Sequence, residues 1–281
     1  MKNILQTLNL RPTEGEWGVE IEVEGSDLPQ QFRGREWRVE HDGSLKAEEA
    51  FEYVTPKPLS KAGVRASLDV LEAAYVKCGS EVDESVRAGV HVHMNVQQFT
   101  AKEVFTFATL YFIMEELLVK YCGENREGNL FCLRSQDAEY QLFAIQEAVE
   151  TKNWANIKTD NLRYASLNFQ SLFKYGSLEF RSMRSTRNLD LIYQWVEILE
   201  ELRDSSLKFK SPVDVMMSFS GEGEEAFLKR TFPTKWKLLT FPDYERSIRK
   251  ACRRVQMLAY TIDWDNIGKP SNNPFLGEGG F

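Results

Sequence analysis

Glu20 and Glu22 stand two residues apart in Trp17-Gly18-Val19-Glu20-Ile21-Glu22-Val23-Glu24. Strict alternation of carboxylates with Val and Ile is the period-two signature of a β-strand. Such a strand turns Val19, Ile21 and Val23 to one side and Glu20, Glu22 and Glu24 to the other. An amphipathic strand with its glutamates in water has the same pattern. A second stretch, Gly89-Val90-His91-Val92-His93-Met94-Asn95-Val96, repeats the design with imidazoles. Side chains at i and i+2 of a strand lie side by side, so His91 and His93 can reach one centre. Two strands that each aim metal-type ligands off an apolar-backed face point to a carboxylate-rich metal site.

Other residues suit the same chemistry. Glu52, in Phe51-Glu52-Tyr53-Val54-Thr55-Pro56, shares its face with Val54, which favours a buried and paired glutamate over a surface one. Farther on, Asn161-Leu162-Arg163-Tyr164-Ala165-Ser166-Leu167-Asn168 precedes Gly176-Ser177-Leu178-Glu179-Phe180-Arg181-Ser182-Met183-Arg184. Glu179 and Arg181 alternate with Leu178 and Phe180, so an acid and a guanidinium share one face. That pair is either a cross-strand ion pair or a cation ligand beside anion-binding arginines. In the second reading Glu179 binds a cation, while Arg163, Arg181 and Arg184 neutralise phosphate oxygens with planar, permanently charged forks. His41, next to Asp42-Gly43-Ser44, reads as a turn residue. Carboxylates with one or two imidazoles and no thiolate suit hard divalent cations, Mg²⁺ or Mn²⁺. Arginines beside them point to a nucleoside triphosphate and phosphoryl transfer. The chain has no GxxxxGK[ST] loop, no strand-linked GxGxxG and no GxSxG, so P-loop, Rossmann and Ser-nucleophile chemistries are unsupported.

The elements that must hold these residues are legible as well. Strands are expected at 16–24, 36–40, 49–55, 87–97, 162–170 and 175–183. Helices are expected from Ser60 to Cys78, from Thr100 to Tyr121, over 135–150, from Asn188 to Leu207 and over 243–260. Thr100 and Glu103 have capping-box spacing. Phe105, Phe107, Leu110, Tyr111, Ile113, Met114, Leu117 and Leu118 give that helix a wide apolar surface, which implies burial against a sheet. Residues 208–242 are mixed, with three prolines. In the last helix Arg246, Arg249, Lys250, Arg253 and Arg254 read as a solvated face. Strands drawn from distant segments, mostly outside βαβ order, favour an α+β fold with an antiparallel sheet and helices on one side.

Composition narrows the class. The chain has 281 residues, 42% hydrophobic, with a net charge of −7, which argues against non-specific nucleic-acid binding. Four scattered cysteines form no CxxC pair and read as thiols in a reducing compartment. With no signal-like start and no membrane-length apolar run, a cytoplasmic protein is expected.

The motifs occur in a familiar order: Gly18-x-Glu20-x-Glu22, Asp42-Gly43-Ser44, Glu52-Tyr53-Val54-Thr55-Pro56, Gly89-x-His91-x-His93, Arg163 to Asn168, and Glu179-Phe180-Arg181. In this the chain resembles, over about residues 15–200, the amidoligase branch of the carboxylate–amine ligases, the superfamily of glutamine synthetase and glutamate–cysteine ligase. The resemblance implies a glutamine synthetase-like curved antiparallel sheet with helices on its convex side, and ATP and two or three Mg²⁺ (or Mn²⁺) ions on its concave face. It implies Glu20, Glu22, Glu52, His91, His93 and Glu179 as metal ligands, and Arg181, Arg184, Asn168 and His93 around the nucleotide. Arg163, Arg181 and Glu52 take catalytic parts. A substrate carboxylate would attack the γ-phosphate to give an acyl phosphate, and an amine would then displace phosphate to form an amide. Between Arg181 and the next helix the chain runs Ser182-Met183-Arg184-Ser185-Thr186-Arg187, a departure from the small turn that the resemblance implies there.

The expected organisation is a catalytic domain over 1–207, a helical extension over 208–266 and a flexible tail over 267–281. The expected partners are a carboxylate and an amine substrate (an amino acid, peptide or protein side chain), with no membrane; an oligomer is compatible. Two other readings use the same residues: a metal-dependent hydrolase working without ATP, and a catalytically silent binding module.

Overall fold

The alternating stretch around Glu20 folds as expected in the computed structural model, which describes residues 2–135, 141–151, 157–158, 162–265 and 267. After a one-turn helix α1 (Ile4–Thr7) come β1 (Trp17–Ser26), β2 (Arg38–Glu40), β3 (Ala50–Val54), α2 (Lys61–Cys78), β4 (Glu81–Val82), β5 (Gly89–Asn95) and α3 (Ala101–Cys122). Then follow α4 (Gln141–Glu150), β6 (Leu167–Asn168), α5 (Gln170–Tyr175), β7 (Ser177–Arg184), α6 (Leu189–Ser206), α7 (Pro212–Glu222), α8 (Glu224–Thr231) and α9 (Tyr244–Thr261). The strands pair in the order β2-β3-β1-β5-β7-β6, all antiparallel, with β4 added at the end of β1.

One face of this sheet is apolar because the alternation is kept on every long strand. Trp17, Val19, Ile21 and Val23 of β1, Val90, Val92 and Met94 of β5, and Leu178 and Phe180 of β7 are all buried. Helix α3 lies against that face, with Phe107 and Tyr111 centred 5.8 and 5.6 Å from Phe180. Its wide apolar surface becomes burial nearly all round, since α6, α7 and α9 cover its other sides. Each large apolar side chain so buried contributes roughly 1.5–3 kcal/mol, far more than an exposed ion pair. The helices of the last seventy residues therefore share one hydrophobic cluster with the sheet.

Local chemistry sets the ends. Thr100 and Glu103 close a reciprocal capping box at the start of α3. Ser60 caps α2, and Gly79 in the left-handed region (φ 73°) ends it. Among the described residues no helix is long and apolar enough to cross a membrane.

Three regions differ from the sequence expectation. The strand expected over 162–170 shrinks to Leu167–Asn168. Residues 162–165 close a turn through Ala165 N–H to Leu162 O, and the Asn168 side chain accepts from Gln170 N–H to start α5. The mixed stretch 208–242 holds α7, with its Ser211 cap and Pro212 in the first turn, and α8, separated by Gly223. On α9, Arg246, Arg249, Lys250 and Arg253 are exposed as expected, but Arg254 is half-buried. Residues 136–140 of the helix expected over 135–150, Asn161, and all of the tail but Ile267 lie outside the described residues.

Candidate metal and anion site

Strand register gathers the polar residues on the sheet face opposite α3. Glu20 of β1 stands across from Val54 of β3 on one side and His91 of β5 on the other. Glu22 is paired with Glu52, and Glu52 in turn with Glu40 of β2. Gly18 is opposite His93, His93 opposite Glu179 of β7, and Glu179 opposite Asn168 of β6. Five strands thus place Glu20, Glu22, Glu52, His91, His93, Glu179, Arg181 and Asn168 on one surface. A bulge in β7, where Arg181 and Ser182 together oppose His91, frees the Arg181 carbonyl from the ladder.

Glu20 lies at the middle of this set. Its Oε1 is 3.2 Å from His93 Nε2 and its Oε2 is 3.4 Å from His91 Nδ1. His91 also lies 3.8 Å from both Glu22 Oε1 and Glu179 Oε1. Two groups of ligand atoms close enough to surround an ion result: Glu20–His93–Glu179 and Glu20–Glu52–His91. They share Glu20. Surrounding residues hold the ligands: Gly89 N–H donates to Glu22 Oε2 at 2.8 Å, and Asn168 Nδ2 donates to Glu179 Oε2 at 2.7 Å. Arg181 pairs with Glu179, and Ser177 Oγ is 3.2 Å from His93 Nδ1.

The electrostatics divide the carboxylates. Burial opposes ionisation of Glu20, but hydrogen bonds and charge from His91 and His93 outweigh it and hold its carboxyl far below the usual range. Burial likewise opposes ionisation of Glu179, and the charges of His93, Arg181 and His91 prevail to lower its pKa. Glu22 goes the other way, pushed up by burial that His91 and Arg181 only partly offset. Glu52 is raised to about 8, first by burial and then by the charges of Glu20, Glu22, Asp42 and Glu40. His93 is raised because Glu20 and Glu179 overcome its burial.

Three cavities meet at this cluster. One, of about 370 Å³, runs from Glu22 and His91 to Arg87, Arg126, Arg163 and Arg181, walled by Phe131 and Tyr164. A second, of about 330 Å³, lies beyond Glu20 and His93 and is mostly apolar, lined by Val54, Pro56, Pro58 and Tyr175. The third, of about 640 Å³, links Glu20, Glu179 and Arg181 to Lys158 and Lys174.

Arg163 reaches the first cavity from the turn before β6, stacked 4.4 Å over the Tyr164 ring and bonded to its hydroxyl. Arg184 is placed elsewhere. Its guanidinium donates to the Cys122 carbonyl at 2.8 Å and the Tyr121 carbonyl at 3.4 Å, closing the end of α3, and it lines none of the three cavities. Arg187 instead pairs with Glu72 of α2. Glu24 shares the face of Glu20 but accepts from Lys46 and Ala47 N–H groups, so it anchors the 42–49 loop. His41 is exposed and packs on the Phe51 ring. Asp42 and Ser44, hydrogen-bonded to each other, line the arginine cavity.

Two cavity residues escape sequence reasoning. Arg126 sits in a single 3₁₀ turn (Glu124–Arg126), and Arg87 in the loop before β5, where no periodicity marks a face. Arg126 is nonetheless almost wholly buried, donating to the Arg181 carbonyl at 2.8 Å and the Ala88 carbonyl at 3.4 Å. It thereby satisfies the carbonyl that the β7 bulge releases. Glu115 of α3 lines none of these cavities and is likewise reached by no signal, because it lies within an apolar helix. Buried, it accepts from the N–H and hydroxyl of Ser135 and from the hydroxyl of Ser166, tying down both segments that carry Phe131 and Tyr164. Burial raises its pKa against those hydrogen bonds and the charge of Arg254. Glu115→Ala is expected to cost about 3 kcal/mol, because it strands two buried hydroxyls and opens a cavity. Urea denaturation measures this, and a loss below about 1 kcal/mol would show that the network is dispensable.

No curated protein sequence matches the chain. A family model described as “putative amidoligase enzyme” matches residues 13–202, a span that contains every strand of the sheet and each residue named around the ligand cluster. The match covers well over half of the chain and includes the glutamate, histidine and arginine strands in order, so this protein belongs to the amidoligase family, a family of ligases.

Proposed function

We propose that the protein is an ATP- and Mg²⁺-dependent carboxylate–amine ligase built on a glutamine synthetase-like sheet, working through an acyl phosphate. The observation that carries this reading is the pair of ligand triads sharing Glu20 beside an arginine-lined cavity. The residues fit a hard cation. All the donors are carboxylate oxygens or imidazole nitrogens. His93 Nε2 is buried and faces Glu20 Oε1 at 3.2 Å, an arrangement suited to two ligands facing one ion. Glu52 keeps its proton up to about 8 because it is buried beside other carboxylates, a crowding that a cation would relieve. Mn²⁺ would satisfy the same donors.

Glu20, Glu179 and His93 would hold one ion, and Glu20, Glu52 and His91 the other, with Glu22 beside His91. Bound there, the ions would neutralise triphosphate oxygens and so favour transfer of the γ-phosphoryl group. The apolar cavity at Pro56, Pro58 and Tyr175 suits a nucleobase, and Lys158 and Lys174 lie on the route between it and Arg181. Arg181, anchored by Glu179, and Arg163, stacked on Tyr164, would stabilise charge on the transferring phosphoryl group and then on the acyl phosphate. Asn168 positions Glu179. Glu52, able to change protonation near neutral pH, is suited to take the proton of the incoming amine when not held as a ligand.

The test is ADP formation by purified protein and Mg²⁺-ATP with panels of acids and amines. ADP release that requires both an acid and an amine supports a ligase. Acid-independent cleavage without ATP would establish the hydrolase reading in its place, and no Mg²⁺-dependent nucleotide binding at all would leave a silent module.

A pH dependence follows without substrates. A free glutamate titrates near 4.5, whereas Glu52 titrates near 8. Between those values the folded chain holds a proton that the unfolded chain has lost, so metal-free stability falls as pH rises. Glu22 and His93, both raised, push the same way. Glu20 and Glu179, both lowered, exert their effect below that window. Calorimetry in chelator is expected to show the melting temperature falling from about pH 5 to about pH 8, and excess Mg²⁺ to flatten the decline. An unchanged profile with Mg²⁺ would count against the metal site.

A further inference from the structure

The arginine cavity also says what kind of acid enters it. Of its four guanidiniums, only that of Arg181 has a carboxylate partner among the described residues. Arg126 is bonded to backbone carbonyls, Arg87 to the Ser44 carbonyl and Arg163 to the Tyr164 hydroxyl. Arg126 lines the cavity, and its buried Nε has no hydrogen-bond partner. Glu22 and Asp42 share the lining, but the balance remains cationic, so it attracts a carboxylate and repels an ammonium. The group that enters here is therefore the acid and not the amine.

The surface beside this cavity is unlike that of a small-molecule pocket. Leu130, next to the lining residue Phe131, is 74% exposed, and Val86, next to the lining residue Arg87, is 62% exposed. Single exposed aliphatic residues are ordinary. These two stand on loops that are fastened together: Asn129 Nδ2 donates to the Val86 carbonyl at 2.8 Å, and Asn129 Oδ1 accepts from Phe131 N–H. Arg87 lies over the Phe131 ring, which joins the apolar rim to the cationic interior.

Resting on the ligase reading above, we infer that the acid substrate is a polypeptide, which inserts an Asp or Glu side chain (or its C-terminal carboxylate) into the arginine cavity and lays apolar neighbours on Val86 and Leu130. Charge complementarity selects the carboxylate, and the paired aliphatic rim selects a chain with apolar residues beside it. A carboxylate oxygen of the peptide bonds to the γ-phosphorus as the bond to the bridging oxygen breaks and ADP departs. The amine nitrogen then bonds to the acyl carbon, releasing phosphate and a proton and leaving a modified peptide.

The probe is a pool of short fluorescent peptides with a central Glu and flanks drawn from Leu, Val, Phe, Ser and Gly. Control pools have a central Gln, or a central Glu with only Ser and Gly flanks. Binding by full-length protein is followed by anisotropy, and Mg²⁺-ATP binding is measured separately by calorimetry. The Glu-centred apolar pool is expected to bind about tenfold tighter than either control. The double variant Val86→Ser, Leu130→Ser is expected to lose that margin while Mg²⁺-ATP binding stays unchanged. Equal binding of all three pools by a protein that binds Mg²⁺-ATP would overturn the inference and leave the ligase reading standing. Glu-dependent, rim-dependent peptide binding without any Mg²⁺-ATP binding would do the reverse, and failure of both measurements would remove both.

Discussion

Glu20→Gln is expected to abolish divalent-ion binding, and with it nucleotide binding that depends on the ion. The substitution keeps the shape of the side chain and removes its charge. Glu20 is the only residue common to both ligand triads, with one oxygen toward His93 and the other toward His91. Loss of supporting residues around a metal costs 10–100-fold in affinity, so loss of a shared ligand should exceed about 100-fold. Calorimetric titration with Mn²⁺ and with Mg²⁺-ADP reads this directly. Glu24→Gln is the matched control, because Glu24 sits on the same strand face but is occupied by the 46–47 backbone. If the two variants bind Mn²⁺ alike, the alternating glutamates are ordinary surface groups. A second readout comes from Glu52, whose pKa is raised first by burial and then by the charge of Glu20. In Glu20→Gln the decline of metal-free stability with pH should still begin near the free glutamate value but end at lower pH.

The second large effect concerns Arg181. Its guanidinium pairs with the buried Glu179, its backbone N–H donates to Ser166 O, and its own carbonyl is held by Arg126. Burial works against its charge, yet the carboxylates of Glu179, Glu22 and Glu20 raise its pKa, so it stays a cation in every state of the site. Arg181→Met leaves Glu179 as a buried charge that has lost its permanently charged partner. Breaking a buried pair from one side costs about 3–5 kcal/mol. Urea denaturation without metal should show that loss, and Mg²⁺ should return part of it by giving Glu179 another cation. The same variant should lose phosphate-type ligands, which Arg181→Lys should retain weakly, because an ammonium cannot reproduce the planar fork. Stability within about 1 kcal/mol of the parent would mean that water screens the pair.

Much of this site could be read from spacing. Alternation alone put Glu20, Glu22, His91, His93, Glu52, Glu179 and Arg181 on faces, and the structure puts those faces on one surface. Period two tells which side of a strand a residue occupies, however, and nothing about its partner across the sheet. The pairing of Glu20 with His91, and of His93 with Glu179, depends on register between strands about seventy to ninety residues apart. Arg163 was legible as a residue type but misplaced on a strand, because the turn closed by Leu162 and Ala165 is a local preference that a few apolar residues conceal. Arg184 groups with Arg181 as a phosphate-binding arginine by residue type, yet the open carbonyls at the end of α3 give it a different task. Arg87, Arg126 and Glu115 carry no periodic signal. Their roles come from packing, which brings loops and a buried helix to the cavity wall.

The assembly of Glu20 from both sides has a consequence for how the chain reaches its native state. Its neighbour β3 is supplied from nearby in the chain, but β5, with both histidines, follows α2, and β7, with Glu179, follows α3 and much further chain. Closing such long loops is slow, and a fragment that ends before β7 contains only the Glu20–Glu52–His91 triad, because the other needs Glu179. Capture of the ion that Glu20, His93 and Glu179 would hold should therefore coincide with the final docking of β7. A divalent ion would then act as a clock for the last step of folding, pulling the finished chain out of equilibrium with its partly folded forms.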